Sequence, residues 1–261
     1  MKWRRIRAHP PGRLALVTAV VVVALPAMTG HAVGASVRPI FEPTDLELIE
    51  PGMVEADLQL GFVRGQQAAR LVIPDFELNL GLGSHVELDI DGAYAIQGPP
   101  GGTLSYDHAA PDSLWVAAKV GVERWGLGWG FQAGPKLPVA PGTRGVGAEI
   151  LLLVGRQDGR WHTAINGGAF IDPDGGDGRP RGIEGGFDLA VALGAIALTA
   201  ELGGVHFFSP DPYQLIGTAG IVWSQSEHLD LSLTAVALGL GGGDRYGVLL
   251  GVSPKFRLRQ R

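Results

Sequence analysis

Three features of the sequence predict an all-β fold: period-two alternation of apolar and polar residues, segments mostly 10 to 13 residues long, and connectors alternating between short and long. The specific expectation is a single closed antiparallel transmembrane β-barrel of about 12 strands, with short periplasmic turns and longer outer loops. Composition agrees. Glycine is 41 of 261 residues, about 16% against a usual value of roughly 7%, and charged residues are only 18%. Such a chain is too apolar to stay disordered. With no cysteine it has no disulfide framework, thiolate metal site or cysteine nucleophile. A net charge of −5 gives no basic footprint for nucleic acid.

Residues 1–35 read as a signal peptide. Lys2, Arg4, Arg5, Arg7 and Arg13 precede an apolar run from Leu14 to Leu25, and Val33-Gly34-Ala35 follows as a small-residue cleavage site. Twelve apolar residues are short of the roughly 20 that a spanning helix needs. Removing 1–35 takes away five bases and no acid, leaving 16 bases against 26 acids. Residues 36–50 are expected to form a periplasmic lead-in or a short plug, and 51–258 the barrel.

The expected strands are 53–64, 70–81, 85–97, 113–123, 125–134, 145–155, 160–171, 182–193, 195–208, 213–224, 228–239 and 245–257. Tilted strands that cross a bilayer need roughly 9–11 residues, and bacterial barrels hold an even number of them. In the first strand Val54, Ala56, Leu58, Leu60 and Phe62 share one face, while Glu55, Asp57 and Gln59 share the other. The next two strands repeat this with Phe76, Leu78 and Leu80 against Asp75 and Glu77, then Val86, Leu88 and Ile90 against Glu87, Asp89 and Asp91. Short connectors at 82–84, 123–124, 155–159, 193–195 and 224–227 fall on one side. Longer ones at 64–69, 98–112, 135–144, 172–181, 209–212 and 240–244 fall on the other. Trp125, Trp161, Phe170, Phe207, Phe208, Tyr213, Trp223, Tyr246 and Phe256 sit near strand ends, where an interfacial girdle would place them.

The residues expected to line the lumen are Glu55, Asp57, Asp75, Glu77, Glu87, Asp89, Asp91, Lys119, Glu149, Glu184, Asp188 and Glu201. Lys119, Lys255 and Arg257 read as almost the only inward bases. Isolated buried charge is expensive, so water, counter-ions or bound protons must offset so many carboxylates. The expectation is a hydrated, cation-attracting passage for small solutes, since acidic rings favour cations. The rival is a non-conducting barrel that binds a partner through loops 98–112 and 172–181. Outer-membrane lipids and the barrel-assembly machinery are the other expected partners, the latter reading the closing strand that ends near Phe256.

Enzyme signatures are missing. There is no H-E-x-x-H, G-x-S-x-G or Walker A pattern. Gly126, Gly128 and Gly130 lack the strand–helix unit of a dinucleotide site. Asp172, Asp174 and Asp177 have spacing 1, 3, 6 rather than the 1, 3, 5 of a calcium loop. His206 has no serine two residues away with which to form a lipase pair on the lipid face. No catalytic residue, cofactor or metal site is expected.

Several stretches carry a family resemblance. They are Phe41-Glu42-Pro43-Thr44-Asp45 leading through Glu50-Pro51-Gly52, then Pro74-Asp75-Phe76-Glu77-Leu78 with Gly81-Leu82-Gly83 and Val86-Glu87-Leu88. Pro135-Lys136-Leu137-Pro138 and the closing Gly251-Val252-Ser253-Pro254-Lys255-Phe256 complete the set. Over roughly residues 40–258 the chain resembles the outer-membrane β-barrel family named for the meta-pathway of phenol degradation. That resemblance implies a closed barrel taking up small, in some members aromatic, molecules, and it carries no catalytic residues. This sequence departs from it in showing no obvious hydrophobic lumen.

Overall fold

The computed structural model describes residues 48–65, 69–98, 109–111, 113–139, 142–175, 179–208, 213–241 and 245–258. The expected signal peptide and most of the lead-in lie outside these residues, as does most of loop 98–112. The strands are β1 (Met53–Arg64), β2 (Ala69–Gly83), β3 (Val86–Gly98), β4 (Ala109–Pro111), β5 (Leu114–Arg124), β6 (Leu127–Leu137) and β7 (Gly147–Asp158). They continue as β8 (Trp161–Ile171), β9 (Arg181–Leu193), β10 (Ile196–Phe207), β11 (Gln214–Ser226), β12 (Leu229–Gly241) and β13 (Tyr246–Arg257). Each pairs antiparallel with its neighbour, and β1 pairs with both β2 and β13, so the sheet closes on itself. The short β4 pairs with the outer half of β3 and extends the stave that β5 begins. Twelve staves therefore make a closed antiparallel barrel, in which every full-length strand among the described residues pairs on both sides.

Burial follows the alternation. Along β7, Glu149, Leu151 and Leu153 are buried while Ile150 and Leu152 are exposed. Outward-facing apolar residues form rows around the outside. Leu60, Leu250, Leu233, Ile221, Leu198, Val191 and Trp161 stand opposite one another in turn across seven strands. Soluble monomers rarely expose contiguous apolar surface of this extent; a bilayer requires it.

All five connections on the terminal side contain two residues: Ser84-His85, Trp125-Gly126, Gly159-Arg160, Gly194-Ala195 and Glu227-His228. Trp125 has φ 58° and Gly126 φ 72°, positive at both central positions as a type I′ hairpin requires. The bend expected at Glu123-Arg124 is therefore corrected to Trp125-Gly126. Glu123 has the inward parity of its strand but lies exposed at the mouth.

Two other expectations are corrected by side-chain direction. Phe170 and Phe207 belong to no girdle: they are 5% and 7% exposed and meet edge-on inside, ring centroids 5.7 Å apart. Both stand opposite Gly182, whose missing side chain lets the rings meet across β9. Trp125, Trp161, Phe208, Tyr213, Trp223, Tyr246 and Phe256 are exposed as a girdle requires. The interior also holds apolar clusters that alternation concealed: Trp115, Ala117, Leu151 and Leu153 in one, and Val63, Val72, Ile216, Val236 and Leu249 in another. In the run Ile150-Leu151-Leu152-Leu153-Val154 both faces are apolar, so the inward face is invisible to the pattern.

Candidate functional site

The interior wall of β1, β2 and β3 carries the densest charge. Asp57 stands opposite Glu77, and Glu77 opposite Asp91, so three carboxylates lie side by side across three strands. Asp75 follows on the outer side, opposite Gln59. Toward the terminal side Glu55 stands opposite Asn79, and Asn79 opposite Asp89. With its amide nitrogen turned to the carboxylates, Asn79 donates to Asp89 (3.0 Å) and to Glu77 (3.1 Å).

Glu87 and Asp89 are 1% exposed. Lys119 Nζ lies 3.3 Å from Glu87 Oε1, and Gln132 Nε2 donates to Asp89 Oδ2 at 2.8 Å. The backbone N–H of Ile49 donates to the other Glu87 oxygen. Leu48 lies against Gly121, and the Glu50 carbonyl lies so close to Gly81 that a β-carbon there would collide with it. These last residues before β1 thus lie over the terminal-side ends of β2, β3 and β5.

Two lysines bridge paired carboxylates elsewhere. Lys255 reaches Glu55 (2.9 Å) and Asp230 (2.5 Å) near the terminal-side mouth. Near the outer mouth, Lys136 reaches Glu149 (2.8 Å) and Asp172 (2.9 Å), with its ammonium 5.7 Å from the Phe170 ring centre. Buried ammonium groups are affordable here because each has two carboxylate partners. Asp172, whose spacing with Asp174 does not make a calcium loop, is thus a partner of Lys136, and its carbonyl accepts from Arg179 (3.1 Å). Asp177 lies outside the described residues.

The opposite wall, β8 to β11, is built differently. Asp188 stands opposite Glu201, which stands opposite Thr218. Thr218 Oγ1 donates to Glu201 Oε2 at 2.9 Å, and His162 Nε2 lies 3.9 Å from Asp188. Glu184, two positions before Gly186, is 6% exposed.

Two inward bases lie outside the expected set: Arg70 is 2% exposed and Lys136 7%. Alternation does not reveal Arg70, because the register between β2 and β3 shifts between Val72 and Asp75, so inward parity changes from even to odd along the strand. Lys136 joins the wall because β6 runs to Leu137, past the expected end at 134. Asp230, Gln132 and Asn166 also escaped the sequence reading, the last two because neutral amides leave no charge pattern.

No family model matches the chain, and no curated protein matches it. Solved structures do. The COG4313 outer membrane channel from Pseudomonas putida F1 aligns with TM-score 0.61 and 10% identity, over 83% of this chain and 100% of that one. The NanC porin aligns with TM-score 0.57 and 7% identity, over 77% and 100%. The KdgM porin aligns with TM-score 0.51 and 10% identity, over 77% and 99%. At such identities the likeness is one of fold, and the fold is that of an outer-membrane porin-like β-barrel.

Proposed function

We propose that this protein is an outer-membrane porin of the kind its meta-pathway family resemblance implies, passing small solutes through an acidic, cation-attracting interior and catalysing no reaction. The observation that carries this reading is the Asp57–Glu77–Asp91 row, three carboxylates opposite one another on the inward face. Adjacent carboxylates in a narrow space between low-dielectric walls attract cations and repel anions. The apolar outer rows would contact lipid, and β13, with the exposed Phe256 next to its last residue, would serve the assembly machinery as its closing signal. The likeness to a channel and two porins supports the architecture of such a path.

The test is single-channel conductance of the refolded barrel in a planar bilayer under a potassium chloride gradient. Cation-selective steps are expected, and D57N/E77Q/D91N should bring the reversal potential close to zero. Anion selectivity, or an inserted but silent barrel, would overturn the reading.

A second reading, a non-conducting barrel that binds through its outer loops, draws on one observation. The loops after β6 and β8 are joined by paired bonds between Arg144 and Asp174 (2.8 Å each way) and by Arg179 donating to the Val146 carbonyl (2.5 Å). A silent barrel whose partner binding vanishes on deletion of 142–146 would favour it.

A further inference from the structure

Asn166, midway along β8, is 5% exposed, whereas its neighbour Ile165 on the outer face is 58% exposed. Its side chain therefore points inward. Neither its amide nitrogen nor its amide oxygen has a hydrogen-bond partner. A buried amide left unsatisfied costs roughly 1–3 kcal/mol, so native structures rarely retain one without a purpose.

The strands beside it are bare at its level. Asn166 stands opposite Gly186 on β9, and Gly186 opposite Gly203 on β10. Beside the amide the wall thus has no side chain across two strands. This bare floor is bounded on β9 by Glu184 on one side and Asp188 on the other, with Glu201 opposite Asp188. Four residues of extended chain span about 13 Å, so the two ends of the floor are too far apart to coordinate one metal ion. That separation suits an elongated molecule with positive charge at both ends and a hydrogen-bonding group between them.

From this arrangement we infer that the β8–β10 wall is a binding site for linear organic polyamines. One terminal ammonium is held at Glu184, the other at Asp188 and Glu201, and a central amine is held by Asn166. The site deepens the reading of the interior as a solute path, although binding does not require passage.

The probe is spermidine, titrated calorimetrically into the folded full-length barrel in detergent micelles, with the neutral trisaccharide raffinose as comparison. Wild type should bind spermidine and not raffinose. N166L should weaken binding about tenfold, equivalent to about 1.4 kcal/mol. It should also keep or raise the unfolding midpoint, because it removes an unsatisfied buried amide; a merely structural asparagine would not separate the two readouts. G186V, which fills the floor, should weaken binding similarly, and it provides the test if N166L fails to fold. Absence of spermidine binding, equal binding by the variants, or a preference for raffinose would overturn the site. A barrel that binds spermidine but never conducts would overturn the passage and leave the site standing, and a conducting barrel that binds none would do the reverse.

Discussion

Lys119 shows how charge is tolerated inside this barrel. Its side chain is 5% exposed and that of Glu87 1%, with 3.3 Å between the charged atoms. Removing one partner of such a pair strands the other charge, which costs about 3–5 kcal/mol. K119M should therefore lower unfolding free energy by about that much in guanidinium titration, and K119M/E87Q should recover most of it. Recovery failing in the double variant would show that the loss does not come from a stranded Glu87 charge. On the outer face the physics reverses. Leu233 stands opposite Leu250 and Ile221 in the lipid-facing row, and arginine at such a midplane position costs about 2–4 kcal/mol. L233R should show that loss in bilayer unfolding, whereas a soluble protein with a surface leucine would show almost none.

Among the elements, the terminal-side hairpins fix register at low cost. Gly126 at φ 72° occupies backbone space where a β-carbon costs about 1–2 kcal/mol. G126V should lower stability by that amount without changing the folded far-ultraviolet spectrum, which thermal unfolding in micelles can check. Pro254 looks disruptive in a closing strand, but the structure accommodates it. The β1–β13 pairing runs through Glu55 and resumes at Leu58, omitting Ala56 and Asp57, so the proline falls where that ladder is already interrupted. The shift between Val72 and Asp75 has the larger consequence: it turns Arg70 inward although the alternation read back from Asp75 would send it to lipid.

At the scale of the whole molecule, closure depends on β13 pairing with both β12 and β1. Ending the chain at 244 should leave two open edges, so the truncated protein should lose the heat-modifiable gel mobility of a folded barrel and aggregate. The outer mouth is organised by Lys136 together with the loops joined through Arg144 and Asp174. K136M should leave the barrel assembled but make the 142–146 segment more susceptible to protease, a change absent from the terminal-side turns.

The amino-acid sequence alone specifies the closed barrel, its division into twelve staves and the side carrying long loops. Each follows from short-range physics: period-two burial, strand length against bilayer thickness, and turn chemistry. It also identified the carboxylates of β1 to β3, because charge alternating with leucine and valine leaves a clear pattern. The assembled barrel sets what those residues face. It brought Phe170 to Phe207 across a glycine, paired Lys136 with Asp172, and left Asn166 beside bare glycine wall. Interior neighbours come from different strands, chosen by register shifts and strand tilt, and alternation along a single strand carries no record of that choice.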